Sequence, residues 1–272
     1  MKFISDIKKF LGIIIQKKGT IYELAKRDFQ AQNKGTYMGI VWGYIQPLVY
    51  TFSIVLVFSI GLRGTNSGKG VPFAVFLITG MIGWQFFQVA LLSLTRVVKS
   101  HSFLVNKGDF SLGILHIARI LSAIGPHLIL LVFTIIICWL YGYPPNLYNF
   151  QLMYYAVAMS FLLLGLGWIT SSTSIFIQDV SNITSIIVQF GFWFTPIIWN
   201  INRVPAKYQW IVRLNPMCYI VDGYRESLIP NFNRLFWTKP LQTFYFWFFT
   251  IFVLLIGTIV FRRLKPHFGE VI

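Results

Sequence analysis

The sequence predicts an all-α membrane protein: six transmembrane helices, an N-terminal amphipathic interfacial helix, and short re-entrant helices before the last span. Three observations predict it. Of 272 residues, 56% are hydrophobic and only 11% are charged, against about 25% charged in a soluble domain. Aromatic residues make up 18% of the chain, more apolar surface than a soluble sphere of this size hides. The apolar residues also gather into windows of about 20 residues, the length that crosses a hydrocarbon core of about 30 Å. These features exclude an ordinary cytosolic enzyme, a disordered chain and a disulfide scaffold. Cys138 and Cys218 form no CxxC pattern, so neither zinc nor haem attachment is predicted.

Residues 1–36 read as an N-terminal segment and 37–272 as the membrane domain. No cleavable signal is predicted, because the apolar run 10–15 is too short and no small-x-small site follows. Phe3, Ile7, Phe10 and Ile14 recur at helical spacing, with Lys8 and Lys9 opposite. Thr20 and Glu23 match a capping box, in which each side chain satisfies an orphan N–H of a helix start. Behind it Ile21, Ala25 and Phe29 form a stripe, with Lys26 and Arg27 outside it. A basic amphipathic helix of this kind lies in the membrane interface. Packing on a partner is the alternative.

The first two spans, 37–62 and 72–95, carry no charge in their cores. The third, 119–141, begins at an arginine and includes His127. The fourth, 152–177, ends before Asp179. The fifth, 182–199, is shorter and breaks at Pro196. The sixth, 244–261, stops at Arg262 and Arg263. Before it, 211–220 and 221–229 are too apolar for a free loop and too short to span. They read as re-entrant or interfacial helices, with Asn215-Pro216 marking a turn or helix start.

The net charge of +15 reads mainly as topology. Lys2, Lys8, Lys9, Lys17, Lys18, Lys26, Arg27 and Lys34 precede the first span. Arg96, Lys99 and Lys107 follow the second, and Arg262, Arg263 and Lys265 follow the sixth. Six spans place all of these on one side, where the opposite short connections hold only Arg63 and Lys69. The positive side is expected to be cytoplasmic, with both termini inside. The basic excess fits lipid contact, and no separate soluble basic domain speaks for nucleic acid.

Catalytic chemistry is scarce. Residues 64–70 superficially resemble a phosphate-binding loop, but Arg63 stands where a glycine is needed and Gly70 where Ser or Thr is needed. A flexible turn is the reading, and any use of ATP must come from another chain. The acids are scattered; Asp222 and Glu226 share a helical face with Arg225 adjacent, which favours local ion pairing. His101, His116, His127 and His267 lack metal-site spacing. His127, inside a span, is either a functional group or a neutral histidine bonded to a neighbouring helix. No catalytic or metal site is predicted. Aromatic residues are abundant: Trp42, Tyr44 and Tyr50, then Trp84 and Phe87, then Phe190, Trp193 and Phe194. They are either interfacial belts or a platform on which sugar rings slide by stacking their apolar C–H faces.

Four segments in order carry a resemblance over nearly the whole chain. Arg27-Asp28, followed by Tyr37 to Trp42 and Pro47, resembles the entry into the first span of type 2 ABC-exporter permeases. The resemblance is closest to the polysaccharide and polyol phosphate exporters, which include O-antigen and teichoic-acid permeases. Phe192-Trp193-Phe194-Thr195-Pro196-Ile197 is similar to their FWFTPI-type stretch. Asn215-Pro216, continuing to Tyr224-Arg225, is similar to their external NP…YR element. The tail from Phe261 to Phe268 resembles their closing motif. Two departures stand out: Gln178-Asp179 replaces the usual Arg-Asp after the fourth span, and Gly269-Glu270 replaces a small residue followed by Asp.

The resemblance implies a half-transporter in a bacterial cytoplasmic (inner) membrane. Two copies would form a homodimeric channel. Two copies of a separate ABC ATPase subunit would bind ATP and Mg, so this chain itself carries no cofactor and is not an enzyme. The expected cargo is a polyprenyl-pyrophosphate-linked glycan. Lys26, Arg27 and Lys34 would attract its headgroup. A coupling helix at about 96–110 would present Arg96, Lys99, Phe103 and Leu104 to the ATPase. Gate helices at about 205–235 would include Asn215, Pro216, Tyr224 and Arg225. The aromatics named above become channel candidates. A teichoic-acid exporter is the nearest alternative to an O-antigen exporter. A membrane enzyme on lipid-linked sugars would need a clustered acid or metal site, and a secondary transporter would need mid-span acids or broken inverted repeats.

Overall fold

A computed structural model of the chain describes residues 12–32, 35–61, 70–105 and 111–271. The principal helices are α1 (Lys18–Gln32), α2 (Trp42–Gly61), α3 (Phe73–Thr95), α4 (Gly113–Leu140), α5 (Gln151–Phe176), α6 (Asp179–Phe194), α7 (Pro216–Leu228) and α8 (Pro240–Leu264). Among the described residues there is no strand.

Among the described residues five helices are long and apolar enough to cross a membrane: α2, α3, α4, α5 and α8. The expected fifth span is the exception. Helix α6 has 16 residues, about 24 Å at 1.5 Å per residue, short of the about 30 Å hydrocarbon core. Proline explains the stop. Thr195 turns to an extended conformation, φ −85° and ψ 136°, as the residue before a proline prefers. Pro196 then has no N–H with which to continue the helix.

Helix α3 is the buried axis. Within its apolar window 83% of residues are buried, against 6% for the first span. Helices α5 and α8 approach closely through two glycines. A Cβ at Gly257 would sit 2.5 Å from the carbonyl oxygen of Gly165, and one at Gly165 would sit 2.9 Å from the Leu254 amide nitrogen. Backbone meets backbone there, the small-residue packing that membrane helices favour. Gly257→Val is therefore expected to destabilise the chain by about 3 kcal/mol, the upper end for overpacking. Thermal unfolding in detergent measures it.

One end of the bundle gathers the basic segments. Ile21 and Ala25 of α1 are buried against Ile114 and Ala118 of α4, and the Phe29 ring lies 5.0 Å from Tyr44. Helix α1 is thus packed on α4 and α2. Ile14 joins the same cluster; Phe3, Ile7 and Phe10 lie outside the described residues. The capping box is not used. Residues 12–16 are already helical, and Ile21 N–H donates to the Lys17 carbonyl, so Thr20 sits exposed inside the helix. The one-turn helix Val97–Ser100 and Leu104 pack with Trp168, Phe261 and Phe268. This brings the connection after α3 together with the C-terminal end of α8.

At the opposite end, the expected division into helices 211–220 and 221–229 is corrected. A short helix, Gln209–Arg213, precedes one continuous helix, α7. The break falls at Asn215-Pro216. Asn215 accepts the Met217 N–H at 2.9 Å as N-cap, with Pro216 in the first turn. Helix α7 is almost wholly buried, with Ile220, Val221 and Tyr224 fully so, and it packs on α3 and α5. Gly223 makes this possible: a Cβ there would overlap the Tyr155 ring at 2.2 Å.

Candidate functional site

The broken end of α6 and the embedded helix α7 form one unit. Ending α6 at Phe194 leaves carbonyls without helical donors. Arg225, 4% exposed, holds the chain just beyond that end against α3. Its Nη1 donates to the Pro196 carbonyl at 2.6 Å, Nη2 to Ile197 at 2.6 Å, and Nε to Phe76 at 3.3 Å. The guanidinium also lies 3.6 Å over the Phe76 ring, and Asp222 is 3.8 Å from Nη1. Gly80 leaves the room, since a Cβ would be 2.6 Å from Nη2. Asn215 Nδ2 donates to Thr195 Oγ1 at 2.8 Å. Two sequence segments that looked independent are thus clamped together, Thr195-Pro196-Ile197 by Asn215 and Arg225.

The same helix is tied elsewhere. Tyr224 shares a 2.9 Å hydrogen bond with His127 Nε2, and Lys239 pairs with Glu226. His116 Nε2 bonds Ser171 Oγ at 2.7 Å. Each span histidine therefore joins α4 to a different neighbour. A vestibule of about 420 Å³ opens beside α7. Its lining includes Arg213, Arg234 and Lys239 with Asp222 and Glu226.

The aromatic candidates separate into two groups. Trp84 and Phe87 are buried, their rings 5.4 Å apart, with Phe192 6.1 Å from Trp84. They are core packing of α3 against α6, because α3 is the axis of the bundle. Trp42 and Tyr44 are half-buried near α1. Tyr50, Phe190, Trp193 and Phe194 are exposed on α2 and α6.

At the basic end, Lys26 and Arg27 are exposed on α1, and Lys34 lies outside the described residues. Arg96, Lys99 and Phe103 are exposed. Leu104 is not: it is 8% exposed and belongs to the cluster with Phe261 and Phe268. Of the expected pair, Phe103 alone is exposed. Gln178 and Asp179 are exposed at the α5–α6 junction, so the missing arginine leaves no buried acid there.

Sequence reasoning missed the centre of this end. Asp28 is buried between His101 Nε2, 2.9 Å away, and Arg119 Nε, 3.5 Å away. It ties α1 to both the connection after α3 and the start of α4. A signal was present: Ile21, Ala25 and Asp28 share one face at helical spacing. The hydrogen bond to Asp28 holds the His101 imidazole above the ordinary histidine range, against the opposing pull of burial. A raised native pKa gives stability that is complete below about 6.5 and is lost as pH rises through the native value. The melting temperature is expected to fall as pH increases above about 6.5. His101→Gln is expected to flatten that slope, read by thermal scans at stepped pH.

The family model described as ABC-2 type transporter matches residues 20–229, a stretch that holds most of α1, the Asp28 cluster and all of α7. The chain is similar to an O-antigen export system permease protein, RfbA, of Klebsiella pneumoniae, 22% identical over 252 residues, 92% of this chain and 93% of the relative. A second Klebsiella pneumoniae protein of that name is 23% identical over 253 residues, again 92% and 93%. One from Myxococcus xanthus is 19% identical over 241 residues, 86% and 91%. With a helical membrane bundle and a match over most of its length, the chain belongs to the ABC-2 type transporter family, as a membrane transport subunit and not an enzyme.

Proposed function

We propose that this chain is the membrane subunit of an exporter that carries a lipid-linked polysaccharide of the O-antigen type across the cytoplasmic membrane. The observation that carries the reading is the long unburied flank of α2 and α6. The apolar window of the first span is 6% buried, and Phe190, Trp193 and Phe194 are exposed beside the helix break. A flank of this kind fits a second copy, and aromatic faces on both sides of a seam fit a sliding sugar chain. The names of the relatives favour O-antigen over teichoic acid.

The parts then divide as follows. Two copies enclose the channel between α2 and α6. Lys26 and Arg27 meet the pyrophosphate headgroup at the interface. Two ABC ATPase subunits dock on Phe103, Arg96 and Lys99, and hydrolyse ATP with Mg. Helix α7 closes the far end. Movement of the Val97–Ser100 turn reaches α1 through Asp28 and reaches α8 through the Phe261 and Phe268 cluster.

The test is export of lipid-linked glycan by the subunit together with its ATPase. ATPase activity of this polypeptide alone is expected to be absent, and appreciable turnover overturns the division of labour. Trp193→Ala is expected to impair export while glycan assembly continues. Normal export by that variant removes Trp193 from the path.

A further inference from the structure

A cleft of about 510 Å³ lies between α2, α3 and α4, beside Phe29 of α1. Nothing in the export scheme above uses it. Its chemistry is unusual for a site at membrane depth. Three buried polar atoms on its lining have no partner: Gln85 Oε1, Ser122 Oγ and His127 Nδ1. The residues that carry them are 7%, 5% and 4% exposed. The Gln85 amide is oriented by its Nε2, which donates to the Pro47 carbonyl at 3.3 Å. His127 is oriented by Tyr224.

Two prolines add to this. Pro47 and Pro126 stand inside α2 and α4, and both line the cleft. Neither can donate to the carbonyl four residues earlier, so Gly43 and Ser122 lose their helical donors. Both residues also line the cleft. Irregular backbone satisfaction within a membrane is tolerated where it lines a cavity. Here two prolines on different helices direct it to the same one.

Among the described residues, the lining carries no Asp, Glu, Lys or Arg. A phosphate has no counter-charge in this place. Amide, hydroxyl, imidazole and carbonyl groups instead match sugar hydroxyls, which both donate and accept. An aromatic face completes the match: Tyr50 lines the cleft and is 46% exposed, while Phe86, buried, stacks on His127 at 4.6 Å and fixes the imidazole.

We propose that this cleft binds an uncharged sugar ring carried on an apolar tail. The proposal rests on the export reading only for the origin of that ligand, which is the exported lipid-linked glycan, its pyrophosphate lying outside the cleft, or a resident glycolipid. Val89, exposed at the cleft, gives access to a test. The native Cys138 and Cys218 are buried, so Val89→Cys provides a single reactive thiol. The full chain is placed in phosphatidylethanolamine and phosphatidylglycerol nanodiscs, and the maleimide labelling rate is measured.

Dodecyl maltoside is expected to slow labelling about tenfold, the change that a net hydrogen bond or two supplies. Dodecyl phosphate and dodecanol are expected to leave the rate unchanged. Adding Ser122→Ala and Gln85→Leu is expected to abolish the protection. Equal slowing by all three probes, or by none, overturns the proposal without reference to any further variant. Protection by a polyprenyl-pyrophosphate-linked sugar but not by monoglucosyl diacylglycerol supports the cleft and assigns it to cargo; the reverse supports it for a resident lipid. Normal export without protection overturns the cleft alone. Protection without export overturns the export reading alone.

Discussion

Replacing Arg225 with Met destabilises the folded chain by at least about 3 kcal/mol. The expectation follows from what the guanidinium satisfies. The carbonyls of Pro196, Ile197 and Phe76 all accept from it. The Phe76 carbonyl keeps Thr79 Oγ1 as a donor, but methionine offers none to Pro196 and Ile197, and each buried acceptor left unpaired costs about 1–3 kcal/mol. Arg225→Lys is expected to recover little. An ammonium is a compact point donor, whereas three carbonyls around one plane need the guanidinium fork. Thermal unfolding in detergent reads both variants, and an unchanged melting temperature for Arg225→Met contradicts the clamp. A secondary result separates clamp from general damage. Asn215→Ala removes the Thr195 contact and the Met217 cap but leaves Arg225 in place, so its cost is expected to be about 1 kcal/mol.

The clamp also shows where sequence reasoning succeeds and stops. Apolar windows located the spans because hydrocarbon thickness imposes a length on every crossing helix. Pro196 marks the break of the fifth span in the sequence, but not how few helical residues precede it. A count of apolar residues does not register that Thr195 must leave helical geometry. Asn215-Pro216 was read as a helix start and is one. The division after Ile220 was an error of the same origin, since hydropathy carries no boundary signal within α7. The aromatic residues were legible as a class only. Trp84 and Trp193 look alike in a sequence, yet one sits on the central helix and the other on a flank. Asp28 was counted among scattered acids, because its partners His101 and Arg119 are distant in the chain and meet it only through tertiary packing. Its place on the Ile21 and Ala25 face was the local clue.

Asp28→Asn produces the second large effect, a loss of about 3–5 kcal/mol. Asparagine preserves the shape and removes the charge. Arg119, 8% exposed, then holds a buried cation without its anion, and losing one partner of a buried pair carries a cost of that size. His101 keeps an acceptor oxygen but loses the negative charge that favours its charged form, so the pH slope of stability is expected to weaken together with the ion pair. A double replacement distinguishes charge pairing from shape. Asp28→Leu with Arg119→Met removes both charges, and replacing a buried pair by apolar groups of similar volume is often neutral. Most of the stability is therefore expected to return in the double variant. Equal losses in single and double variants contradict the pairing. The stability-restored variant is also the informative one for transport. It keeps α1 packed on α4 through Ile21 and Ala25 yet lacks the polar tie between α1 and His101 in the connection after α3. If that tie transmits the motion of the ATPase contact to the interfacial helix, the double variant folds normally and exports poorly, while ATP hydrolysis by its partner continues.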